Sequence, residues 1–116
     1  MTAFTTTLAP PAIPLGASIR NVFESFLDRV ADACVDRGIK RLDMADAAWR
    51  EYVDPRSLDI GSEIHCILGQ WDGSYTTGRQ ALGISIIASR RHGFHASNLI
   101  WNDRLNAAWR RRLATA

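Results

Sequence analysis

The stretch Cys66-Ile67-Leu68-Gly69-Gln70-Trp71-Asp72-Gly73-Ser74-Tyr75-Thr76-Thr77-Gly78-Arg79-Gln80-Ala81-Leu82-Gly83 decides how this chain folds. Glycines at 69, 73, 78 and 83 are interleaved with aromatic and aliphatic residues, too regularly for a flexible linker and too sparsely for a phosphate loop. The spacing predicts two short helices meeting at a tight turn. Gly69 and Gly78 would let backbones approach closely, and Gly73 and Gly83 would end helices in the left-handed conformation that a side chain disfavours. Trp71 and Tyr75 flank the turn and are expected to bury large surface around it.

Working outward, the same helical reading continues in both directions. Ser62 is expected to cap the helix that carries Ile64, Ile67, Leu68 and Trp71, an i, i+3, i+4, i+7 set. Downstream, Ser85 would cap a helix over 86–92 that Gly93 stops, with Phe94 closing its end. A last helix would start at Asn98 or Asn102 and run to Leu113, with Trp101, Leu105, Ala108, Trp109 and Leu113 on its stripe. Upstream, Ser18 would cap the longest helix, ending near Arg37 with Gly38 as its stop. Ile19, Val22, Phe23, Phe26, Leu27, Val30, Ala31, Cys34 and Val35 recur on it at helical spacing, and Asp28, Asp32 and Asp36 lie outside that stripe. Asp43 would cap a further helix over 44–53, turning Trp49, Tyr52 and Val53 inward with Ala45 and Ala48, before Asp54-Pro55 ends it. No stretch reads as a strand. The expectation is an all-α fold, a compact single domain of five to six short helices over residues 17–116. An extended or disordered arm over residues 1–16, marked by Pro10, Pro11 and Pro14, would precede it.

A chain of 116 residues holds one core. Hydrophobic residues make up 47% and charged residues 22%, an ordinary balance for a globular protein. No apolar run approaches the about 20 residues a membrane helix needs, and the amino terminus lacks the basic start of a secretion signal. With only Cys34 and Cys66, no disulfide framework is expected, and a cytoplasmic setting follows. The charge is uneven. Residues 1–60 carry seven Lys/Arg against nine Asp/Glu, whereas residues 61–116 carry seven arginines against three acids.

Catalytic and metal chemistry find little purchase. His65, Cys66, His92 and His95 offer only one short ligand spacing, His92-x-x-His95, and a helix stop interrupts it. Cys66 lacks a marked oxyanion site or orienting acid. Residues 69–78 lack the lysine of a phosphate loop. The chain therefore reads as non-enzymatic and without a cofactor or metal.

Two resemblances add to this. Cys66-Ile67-Leu68-Gly69-Gln70, Gly73-Ser74-Tyr75, Gly78, Ala81-Leu82-Gly83, Gly93-Phe94 and Ala108-Trp109-Arg110 resemble small proteins of actinobacteria and their bacteriophages, over about residues 58–113. That resemblance implies a small, cytoplasmic, often phage-borne protein with no activity to carry over. Residues 74–92 also resemble a degenerate helix-turn-helix, with Leu82-Gly83-Ile84-Ser85 as its turn, but Arg79 and Ser89 stand where small and aliphatic residues are usual. The expected role is a small binding or regulatory protein, phage-encoded, acting on a host protein or on a second copy of itself. A nucleic-acid-binding regulator is the alternative. In either case the expected contact residues are Arg90, Arg91, Trp101, Arg104, Trp109, Arg110, Arg111 and Arg112, which the sequence places in its arginine-rich second half.

Overall fold

The computed structural model describes residues 18–115, and the arm expected over residues 1–16 lies outside them. Five α-helices and one 3-10 turn follow one another: α1 (Ile19–Ala45), the 3-10 turn (Trp49–Tyr52), α2 (Ile67–Asp72), α3 (Tyr75–Leu82), α4 (Ile86–Arg91) and α5 (Leu99–Ala114). The described residues contain no strand, so the all-α expectation holds.

Short polar caps start the helices where the sequence puts them. Ser18, Ser74, Ser85 and Asn98 each accept a hydrogen bond from the backbone N–H three residues on. The stops also follow the glycines. Gly73, Gly83 and Gly93 all take positive φ, at 96°, 69° and 74°. Beyond α3, Gly83 N–H reaches Gln80 O and Ile84 N–H reaches Arg79 O. Beyond α4, Gly93 N–H reaches Arg90 O and Phe94 N–H reaches Ser89 O. Both ends are the paired 5→2 and 6→1 closure that satisfies two carbonyls of the last turn.

Three boundaries differ from expectation. Gly38 does not stop α1, which continues to Ala45. A Cβ at Gly38 would collide with His92 O and lie 3.1 Å from the Trp109 ring, so this glycine serves close approach inside a helix rather than an end. Asp43 is consequently a helix residue, not a cap. Its carboxylate accepts from Trp49 Nε1 at 2.7 Å and pairs with Arg50 at 3.2 Å. The expected helix over 44–53 shrinks to the 3-10 turn: Trp49 is buried as expected, but Ala45 and Tyr52 are exposed. Asp46 ends α1, accepting from Ala48 N–H and from Trp71 Nε1, both at 3.0 Å. Finally, Ser62 caps only an isolated turn, accepting from Ile64 and His65 N–H, and Cys66 caps α2 instead through a bond from Gly69 N–H to its sulfur at 3.2 Å. Ile64 is left exposed.

The core forms where four elements converge on the second half of α1. Ala31, Val35, Gly38 and Leu42 of α1 are buried. Over Gly38 lies an aromatic cluster. Phe94 stacks on Trp109 with ring centroids 5.8 Å apart, and Trp109 meets Trp49 edge-on at 6.2 Å. The Trp109 indole is fully buried and satisfies its N–H on Gly93 O at 2.7 Å. Arg37 and Arg41, one turn apart on α1, donate to Arg91 O and Leu82 O, tying down the ends of α4 and α3.

Gly69 and Gly78 behave as the central stretch predicts. A Cβ on Gly69 would sit 2.5 Å from Glu63 O, so this glycine lets the 63–64 turn close on α2, and one on Gly78 would sit 2.7 Å from the Leu68 side chain, so α2 and α3 pack at a distance only glycine permits. Gln70 stitches this unit to the preceding loop, accepting from Asp54 N–H at 2.6 Å and donating to His65 O at 2.9 Å.

Candidate protein-binding surface

α5 lies alongside α1 with the two helices parallel, and a charge ladder fixes the register. Arg104 pairs with Asp28 at 2.8 Å and also donates to Glu24 O. Arg111 pairs with Asp32 at 2.8 Å. Arg112 pairs with Asp36 through two bonds, of 2.7 and 3.1 Å. The Arg112 guanidinium beside Asp36 holds that carboxyl below the usual carboxylate value against a smaller opposing effect of burial. Arg110 points the other way and donates to Pro55 O and Leu58 O, at 3.1 and 2.6 Å.

This redistributes the expected contact residues. Trp109 belongs to the core, because its indole fills the space above Gly38. Arg104, Arg111 and Arg112 are engaged by the aspartates of α1, and Arg110 by loop carbonyls. Arg90 and Arg91 are exposed at the end of α4, with no ion pair among the described residues. Trp101 is half-buried at the start of α5 and lines an open groove of about 370 Å³ with Leu27, Ser97, Asn98, Ile100 and Arg104.

Several large apolar side chains are exposed at this end of the two helices. On the first two turns of α1, Ile19 is 88% exposed, Phe23 58% and Phe26 53%, with Val22 beside them. On the first turn of α5, Leu99 is 82% and Ile100 72% exposed. Because the helices are parallel and Leu27 shares the groove with Ile100, both sets lie at the same end of the helix pair. Scattered exposed apolar residues are ordinary, whereas a cluster of this kind makes the surface a candidate for binding. The α1 residues were visible in the sequence as part of a helical stripe, but periodicity assigns such a stripe to the core. Only the length of α5 reveals that its cover ends before α1 does.

Cys66 and Ser89 make structural contacts. Cys66 is fully buried and, as the cap of α2, accepts Gly69 N–H; burial pushes its thiol up, away from the thiolate a nucleophile needs. Ser89 is also buried. Its hydroxyl donates to Ile86 O at 2.6 Å, so the Tyr75 hydroxyl donates to it, also at 2.6 Å. His95 lies against the Tyr75 ring at 5.1 Å, where burial and then the Arg90 charge lower its pKa. Among the described residues no three His, Cys, Asp or Glu side chains converge as metal ligands would. The Cys-x-Leu-Gly-Gln motif is thus accounted for as a cap, a core side chain, a close contact and a loop staple. No described helix is long and apolar enough to cross a membrane.

No protein-family model matches the chain, and no curated protein or solved structure is significantly similar to it.

The helix-turn-helix comparison meets two features of the geometry. α4 has six residues and finds its main helical neighbour in α1 rather than in α3, and its exposed front presents Ile86 and Ile87 beside Arg90 and Arg91. The two departures in sequence also have local explanations. Ser89 is inward and satisfied by Tyr75, and Arg79 folds back to donate to Ile84 O at 2.9 Å.

Proposed function

We infer that this chain is a small non-enzymatic binding protein that works by contact with another protein. The observation that carries this reading is the apolar end of the α1/α5 pair: Ile19, Phe23 and Phe26 on one helix, Leu99 and Ile100 on the other, and the Trp101 groove between. Aromatic and aliphatic anchors of this kind dominate the energetics of protein interfaces. The charge distribution supports a protein over a nucleic acid, since three of the seven arginines of the second half are already paired with the α1 aspartates. The resemblance to actinobacterial and phage proteins supports a phage-borne product with a host protein as target.

Site-specific photocross-linking tests this. With p-benzoylphenylalanine in place of Phe23 or Ile100, irradiation of cells that make the chain should give discrete protein adducts, and the same group in place of Arg90 should not. Adducts arising only from position 90, or adducts to nucleic acid, would overturn the reading in favour of a nucleic-acid regulator.

A further inference from the structure

Three elements meet at the Tyr75 ring. Tyr75 opens α3, and its hydroxyl bonds to the buried Ser89 of α4 at 2.6 Å. On the same ring lies the imidazole of His95, with centroids 5.1 Å apart and planes inclined at 35°. His95 sits midway along the connection from α4 to α5, which is anchored at both ends. At the near end Gly93 N–H bonds to Arg90 O, and Phe94 is fully buried against Trp109. At the far end Asn98 caps α5. Between these anchors no backbone–backbone hydrogen bond among the described residues holds residues 95–97. What holds them is the His95 ring on Tyr75 and the packing of Ala96 against the core.

His95 is therefore the one titratable clasp on this connection, and its surroundings are not neutral. Arg90 of α4 and Glu63 of the turn before α2 act on it; α3 contributes the uncharged Tyr75. Glu63 is already engaged, since its carboxylate accepts Thr76 N–H at 2.9 Å and its carbonyl accepts Tyr75 N–H at 2.7 Å. Burial, and after it the Arg90 charge, disfavour a proton on His95 against a smaller pull from Glu63.

We propose that His95 is a proton-operated latch: neutral, it closes residues 92–98 onto Tyr75, and protonated, it lifts off and frees the connection that leads into α5. An imidazole that binds its proton less readily in the closed state favours that state above its ordinary value and releases it as pH falls through the lower one. Ser97 and Asn98 of the same connection line the Trp101 groove, so opening the latch alters the mouth of that groove. This consequence rests on the reading of the groove as a binding surface; the latch itself does not.

Nuclear magnetic resonance of the full chain, titrated from about pH 8 to about pH 5, the histidine range, is the test. The His95 imidazole signal, identified by its loss in His95→Phe, should titrate below the ordinary 6.5. The nuclear Overhauser contact between the His95 and Tyr75 rings should be present at the upper pH and disappear with the same midpoint, and the backbone signals of residues 94–98 should shift with it. In His95→Phe, which keeps a ring on Tyr75 but takes no proton, the contact should persist throughout. Arg90→Gln should move the His95 midpoint up towards 6.5, because a repelling charge is gone. A midpoint at or above 6.5 in the wild type would show that attraction of the cation to the Tyr75 face outweighs burial and Arg90, and would overturn the latch. So would a ring contact that survives protonation, or backbone shifts of the same size in His95→Phe, which would trace them to His65 or His92.

Discussion

The two halves of α1 carry the same kind of sequence and meet opposite surroundings. From Ala31 to Leu42 the apolar residues recur at helical spacing and are buried against α3, α4, α5 and the aromatic cluster. From Ile19 to Phe26 they recur just as regularly and lie open. Nothing in composition separates the halves; indeed the exposed half holds the two phenylalanines. What separates them is where α5 begins, fixed by the Asn98 cap and by the ladder that sets Arg104 on Asp28. Periodicity reports that a face is apolar, and the neighbours decide whether it is core or contact surface.

The comparison is sharpest under large-to-small substitution. Trp109→Ala should cost about 4 kcal/mol, the size expected for emptying a fully buried aromatic site, and Phe23→Ala should cost within about 0.5 kcal/mol, as exposed positions do. Chemical denaturation at dilute protein measures both without a contribution from association. A comparable loss for Phe23→Ala would break the comparison, because it would show that something within the chain already covers the strip.

A smaller effect, with the sign as its readout, comes from Gly38. In an ordinary exposed helix interior, Gly→Ala stabilises by about 1 kcal/mol. At Gly38 the added methyl meets the His92 carbonyl and the Trp109 ring, so Gly38→Ala should instead destabilise by about 2 kcal/mol through overpacking. A more stable variant would mean that α4 and α5 are free to withdraw from α1, and the contrast between its halves would weaken.

Gly38 also shows where sequence reasoning reached its limit. Local chemistry was legible: the hydroxyl and amide caps at Ser18, Ser85 and Asn98, and the positive-φ glycine stops at 73, 83 and 93, act within three or four residues and fall where the sequence places them. Gly38 was misread because a glycine admits two explanations, a helix stop or a close approach, and the second depends on His92 and Trp109, more than fifty residues away. Asp43 and Ser62 were misread as caps for a related reason. Their better partners, Trp49 for the first and only a single turn for the second, become clear once α1 runs through and the Cys66 sulfur takes over as cap. The site was less legible than the fold. Asp28, Asp32 and Asp36 looked like solvated charges and Arg104, Arg111 and Arg112 like a patch awaiting a partner; each set is the other's partner, across 76 to 79 residues of sequence.

That ladder gives the smallest and most specific expectation. The Asp36 carboxyl accepts two bonds from Arg112, and this contact more than any other holds its pKa below the ordinary value. A carboxyl whose pKa is lower in the folded than in the unfolded chain binds its proton preferentially when unfolded. Its contribution is therefore fully present above the unfolded value of about 3.9 and is lost as pH falls through the lower, folded value. Asp36→Asn should lower stability slightly at neutral pH, by about 0.2–1 kcal/mol for a pair this solvated, and should flatten the acid limb of stability below about pH 4. Urea midpoints measured from pH 7 downward resolve the difference, because the two curves should converge as Asp36 protonates in the wild type. Curves that stay parallel to the lowest pH would mean that Asp36 holds no special contact with Arg112. The cover over the second half of α1 would then rest on its apolar packing alone, and the register that leaves the first half bare would need another cause.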